Sequence, residues 1–135
     1  MARRSAVQAL YQQELSGSTS AEVTETFLQD WGLTGVDIEY FGQLVVGISK
    51  YSKRLDEIII KSLDRELSSV DPIERIVLRL GVYELKFMPD IPIRVVLDEA
   101  IELTHLFGAE EGYRFVNGVL DNCKDLCRGS GTGSV

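Results

Sequence analysis

Apolar residues recur along this chain at alternating intervals of three and four, the spacing of one buried helical face. From Arg4 to about Ser16, the positions Val7, Leu10, Tyr11 and Leu15 make such a face, and Gly17 within a Ser/Gly/Thr cluster ends it. Thr19 and Glu22 have the spacing of a capping box, after which Val23, Phe27 and Trp31 form a short stripe closed by Gly32. From Ile38 the pattern continues through Phe41, Leu44, Val45, Ile48, Tyr51, Leu55, Ile58, Ile59 and Leu63, with a break near Ser49 to Ser52. Two consecutive helices are predicted there. Asp71-Pro72-Ile73-Glu74 is a helix start: an acceptor at the N-cap, proline at the first helical position and glutamate at the third. That helix buries Ile73, Ile76, Val77, Leu80, Tyr83 and Phe87.

Met88-Pro89-Asp90-Ile91-Pro92 cannot continue it, because two prolines fix φ and remove two amide donors. Val96, Leu97, Ala100, Ile101, Leu103 and Phe107 mark a further helix ending at Gly108, and Ala109 to about Leu126 mark the last. No internal repeat and no credible strand is found. The fold class is therefore all-α, a single-domain bundle of about seven helices with short connections. It spans residues 1–128 and is followed by a flexible tail, 129–135, of glycine and small polar residues.

One stretch resists a local reading. Phe115-Val116-Asn117-Gly118-Val119-Leu120 places Asn-Gly, the strongest hairpin dipeptide, between apolar residues. Yet Gly112, Val116, Val119, Leu120, Cys123 and Cys127 keep helical intervals, so the helix takes precedence. A mid-helix glycine costs about 1 kcal/mol against alanine, and close approach of another helix is its simplest cause. On that reading Gly118→Leu should clash and destabilise the fold. Asn117, beside the stripe, suits an interhelical hydrogen bond or a ligand.

The composition, 44% hydrophobic and 26% charged over 135 residues, is that of a globular domain. No apolar run approaches the roughly 18 to 20 residues needed to span a bilayer, and the start lacks a secretory signal. A cytoplasmic location without membrane attachment is expected. The net charge of −7 argues against nonspecific nucleic-acid binding by the whole surface. Local basic patches remain: Arg3 and Arg4, and a group comprising Lys50, Lys53, Arg54, Lys61 and Arg65. The segment from Asp98 to Glu111 carries five acids with only His105 beside them, so the surface is polarised by sign.

Enzymatic constellations are not found. One histidine, no nucleotide fingerprint and no nucleophile motif leave only Asp98, Glu99 and Glu102, which read as a solvated helix face. The chain is read as a non-enzyme with no cofactor. Cys123 and Cys127 with His105 make no zinc set, so no metal is expected and the thiols read as structural. His105 reads as a helix-terminal or surface residue. Phe115, next to Arg114 and off the main stripe, is the aromatic least accounted for by packing.

Three strings are more specific. AVQALYQQEL (6–15), IERIVLRLGVYEL (73–85) and DIPIRVVLDEAIELTHLFGAEEGYRFVNGVLD (90–121) closely resemble the NusB family of bacterial transcription antitermination factors, in register from about Arg3 to Asp121. The resemblance implies an all-helical protein that binds the boxA element of ribosomal RNA operon transcripts. It does so together with a small-subunit ribosomal protein, NusE, in a complex that joins the elongating RNA polymerase. It places RNA contact at the amino-terminal basic segment, Arg3 with Arg4, and near the start of the last helix at Arg114, Phe115 and Asn117, bordered by Phe107 and Glu111. It places the ribosomal-protein surface on the first helix and the Pro72 helix, at Tyr11, Glu74 and Arg79. Homodimers also occur in the family.

Arg-Phe-Val-Asn offers a guanidinium, a ring and an amide within one helical turn, the groups that read unstacked bases. On the residues alone, Phe115 in the core and Asn117 between helices stand as the alternative. Family members commonly carry several more arginines before the first helix. RNA binding by this chain alone is therefore expected to be weak and to strengthen with the partner. Two competing readings are a helical protein-protein module or homodimer with weak or lost RNA binding, and an RNA-positioning domain like those fused to some ribosomal RNA cytosine methyltransferases. No methyltransferase sequence follows here, which disfavours the second.

Overall fold

The computed structural model describes residues 2–31 and 35–128, among which there are seven α-helices and one 3-10 turn. The helices are α1 (Ala2–Ser16), α2 (Ser20–Trp31), α3 (Gly35–Lys50), α4 (Ser52–Ile60), α5 (Pro72–Phe87), α6 (Ile93–Phe107) and α7 (Gly112–Arg128); the 3-10 turn is Leu67–Ser69. They form two compact units, α1 to α3 and α4 to α7. The closing Gly32, the Trp31 side chain and the tail from residue 129 lie outside the described residues.

In the first unit, each of the three helices packs on the other two. Helix α1 begins two residues earlier than the periodicity suggests, so Arg3 rides on its first turn with Arg4 instead of preceding it. Its buried face is built from small residues, Ala2, Ser5, Ala6 and Ala9 with Val7 and Leu10. Leu15, expected on that face, is 66% exposed because the small-residue flank turns it to solvent. Gly17 takes φ 73°, the left-handed conformation that ends a helix without a Cβ penalty. The capping box forms: the Thr19 amide donates to Glu22 Oε1 at 2.9 Å and the Glu22 amide to Thr19 Oγ1 at 3.1 Å. Phe27 of α2 stacks on Phe41 of α3, centroids 5.9 Å apart, above buried Leu44, Val45 and Ile48.

In the second unit, α5 is the central helix, packed by α4, α6 and α7. Its start is as predicted: Asp71 Oδ2 accepts from the amides of Ile73 (3.0 Å) and Glu74 (3.3 Å). Three neighbours bury more than one stripe, so Leu78, Val82 and Leu85 join Ile76, Val77, Leu80 and Tyr83 inside. Phe87, in the last turn, is exposed. A Cβ at Gly81 would lie 2.7 Å from Leu120 Cδ1, so this glycine lets α5 and α7 approach closely.

Helix α4 ends at Ile60, a turn before the apolar pattern does. The amides of Ser62 and Leu63 bond back to Ile59 and Ile60 in a tightened last turn, and Arg65 falls in the following loop. Helix α7 buries the expected stripe: Gly112, Val116, Val119, Leu120 and Cys123. The expectation for Gly118 is overturned. It is exposed, and a Cβ there would meet nothing within 4 Å. The tight contact belongs to Gly112, where a Cβ would run into the Glu74 carboxyl and stand 3.3 Å from Thr104 Cγ2.

Candidate nucleic-acid interface

The residues singled out on α6 and α7 come together around the first turns of α7. Phe107 ends α6 half-buried, and Glu111 and Arg114 are exposed on either side of the α7 start. Arg114 Nε lies 3.1 Å from Glu111 Oε1 and donates to the Tyr113 hydroxyl at 3.1 Å, which holds the guanidinium 5.6 Å from the Tyr113 ring centroid. Glu111 cannot attract phosphate. Its carboxylate instead braces a cation that can. His105 of α6 lies against the other aromatic here, 4.5 Å from Tyr113.

Phe115 is half-buried rather than a core residue, and the Arg65 guanidinium lies over its ring at 4.6 Å. Arg65 also donates to Asp64 at 3.0 Å, a bond that, with the guanidinium's charge, holds the Asp64 carboxyl below its ordinary range. Asn117 is half-buried one turn from Arg114. The second unit thus presents Arg65 on Phe115 at one flank of α7, Tyr113 and Asn117 at the other, and Arg114 on the exposed side between them.

Beneath it stands Glu74. The residue is only 9% exposed, and its carboxyl faces Gly112 at the start of α7. Burial raises its pKa, the Asp71 charge adds to this, and the Arg65 charge opposes it. Arg79, one turn further along α5, is committed to Asp56 of α4 by paired bonds of 2.7 and 3.2 Å.

In the first unit, Arg4 is exposed, while Arg3 is half-buried with its guanidinium 5.5 Å from the Tyr40 ring centroid. Tyr11 is half-buried on α1. Cys123 is buried and its thiol lies 3.6 Å from Ser62 Oγ; burial pushes the Cys127 thiol up to about 11. Among the described residues no group of three or more His, Cys, Asp or Glu is placed to hold a metal ion. None of the described helices is long and apolar enough to cross a membrane.

The family model of the NusB family matches residues 1–125. The chain belongs to the NusB family. It is 48% identical over 120 residues to the transcription antitermination protein NusB of Shewanella oneidensis, covering 89% of this chain and 90% of that one. It is 51% identical over the same length and coverage to the NusB of Shewanella amazonensis. Among solved structures it is similar to T. maritima NusB, with TM-score 0.85, 33% identity, and coverage of 92% of this chain and 88% of the other. It is also similar to a chain in a crystal structure of the antitermination factors NusB and NusE in complex with dsRNA (TM-score 0.85, 28% identity, 93% and 94% covered).

Two residues outside the NusB family resemblance's site set are added by the structure. Arg65 was visible only as part of a basic run; its place on Phe115, 50 residues away in sequence, had no local signal. Arg128 lies beyond the family match, at the last position before the tail. Its guanidinium donates to the carbonyls of Leu85 and Ile91 at 2.6 Å and of Glu84 and Met88 at 3.0 Å. It thereby caps α5 and ties down the proline connector.

Proposed function

We infer that this chain is a transcription antitermination factor of the NusB type that works as an RNA-binding adaptor, not an enzyme. It binds boxA RNA of ribosomal RNA operons together with the ribosomal protein NusE, and the assembly joins the elongating RNA polymerase in the bacterial cytoplasm. The observation that carries this reading is the half-open Phe115 ring with Arg65 upon it and the exposed Arg114 beside it. A ring, guanidinium planes and an amide at a helix surface are what splayed bases of single-stranded RNA stack on and pair with. Arg3 and Arg4 on α1 add positive charge in the first unit. Of the residues assigned to NusE, Tyr11 and Arg79 are half-buried and Glu74 is buried.

A surface at −7 neutralises few phosphates, so RNA binding by the chain alone is weak. Each phosphate contact on a single strand contributes about −0.7 to the slope of log K against log salt, and a basic partner adds contacts. An anisotropy titration of boxA-type RNA at several salt concentrations, with and without NusE, tests this. Higher affinity and a steeper slope with NusE are expected, and linkage requires RNA to tighten NusE binding by the same factor. Identical curves with and without NusE would leave the homodimer or protein-protein module in which RNA binding is lost.

A further inference from the structure

Gly118 has none of the usual structural reasons for being glycine. Gly17 is the one glycine with positive φ among the described residues, so the Gly118 backbone suits any residue. No neighbouring helix approaches it, since a Cβ would find open space. It sits mid-helix, five residues beyond the half-buried Tyr113 and ten before the helix end at Arg128, so it caps nothing. An exposed glycine in a helix interior gives up stability against alanine and here receives no packing in return.

What surrounds it is the candidate RNA surface. Arg114 and Phe115 lie one turn before it on the same side of α7, and the exposed Asn122 lies one turn after. Helical side chains lean toward the amino terminus, so a side chain at 118 would spread over the ground beside Arg114 and Phe115. With glycine there, the floor next to the Phe115 ring is bare backbone. The Arg65 guanidinium lies over one face of the ring from the α4–α5 loop, and Asp121, the nearest acid on this side of α7, is paired with Lys124 at 2.6 Å. The carboxylate nearest Gly118 along this side of the helix is thus ion-paired.

We propose that Gly118 is an RNA-approach residue: the nucleotide stacked at Phe115 lies against the bare α7 backbone at Gly118, and any side chain there would hold it off. This rests on the RNA-binding reading above. It also assigns the glycine of the Asn-Gly pair to the ligand, not to a turn or a helix crossing.

The test compares Gly118→Ala and Gly118→Leu with the unmodified chain and with Phe115→Ala, by thermal melting and by binding of boxA-type single-stranded RNA in the presence of NusE. Gly118→Ala should raise the melting temperature by about 3 to 6 °C, the gain from replacing an exposed helical glycine. Both variants should bind RNA more weakly. For Gly118→Leu the loss should be about 5- to 150-fold, as for one lost stacked base, and for Gly118→Ala smaller in the same direction. Raised stability with unchanged affinity in both variants, while Phe115→Ala weakens binding, would overturn the role of Gly118 alone. A lowered melting temperature for Gly118→Ala would show the position to be packed and overturn it too. If Phe115→Ala also leaves affinity unchanged, or the unmodified chain with NusE does not bind the RNA, the RNA-binding reading falls and this inference with it.

Discussion

Glu74 carries the clearest consequence at the scale of a single residue. Its carboxyl is buried against Gly112, and burial together with the Asp71 charge raises its pKa. A carboxyl whose folded pKa lies above its unfolded value costs stability once it ionises: the contribution is full below the unfolded pKa and is lost as pH rises through the folded one. Glu74→Gln should therefore raise the melting temperature at pH 7, and the advantage should vanish as pH falls below the ordinary carboxylate value of 4.5. Melting curves of both proteins across that range check it; an advantage independent of pH would place the effect in packing. The two glycines of α7 show how far residue-level reading reaches. Periodicity put Gly112 on the buried stripe correctly, but the cost of a mid-helix glycine pointed to a helix contact at Gly118. Cost identifies that something needs the missing side chain, and only the neighbours in space tell what.

At the scale of elements, signals carried by residues close in sequence are legible. The Asp71 cap and the Thr19–Glu22 box depend on residues two or three apart, and both form. The α3–α4 break falls at Tyr51, where the pattern falters. The α4 end was misplaced because Leu63 keeps the helical interval after the hydrogen-bond ladder has tightened and stopped. Arg128 was invisible for a different reason: its four acceptors lie about 40 residues away, on the last turn of α5 and the connector. The Glu84 and Met88 carbonyls already accept the amides of Met88 and Ile91, so the guanidinium adds charge-assisted bonds to these and supplies donors to the Leu85 and Ile91 carbonyls. Arg128→Ala should destabilise the protein by about 2 to 3 kcal/mol in denaturant unfolding, given the cost of unsatisfied partly buried acceptors. Arg128→Lys should recover only part, because a point charge cannot serve a fork of acceptors. Full stability in the alanine variant would show that solvent replaces the clamp without loss.

For the whole molecule, the decisive quantity is where positive charge stands open on a chain of net −7. The sequence displayed Lys50, Lys53, Arg54, Lys61 and Arg65 as one basic run. The fold separates it: Arg65 goes to Phe115, whereas Arg54 and Lys61 rim a groove with Ile58, Ile60 and Leu126. These two surfaces are the competing candidates for RNA contact, and we propose the first. The most direct measurement is amide chemical-shift mapping of the isotopically labelled protein during titration with boxA-type RNA in the presence of unlabelled NusE, each spectrum referenced to the NusE complex without RNA. The account predicts that RNA-dependent shifts concentrate at Arg65 and from Glu111 to Gly118. Shifts confined to Lys53 to Lys61 and Leu126, with Phe115 and Gly118 unmoved, would contradict it.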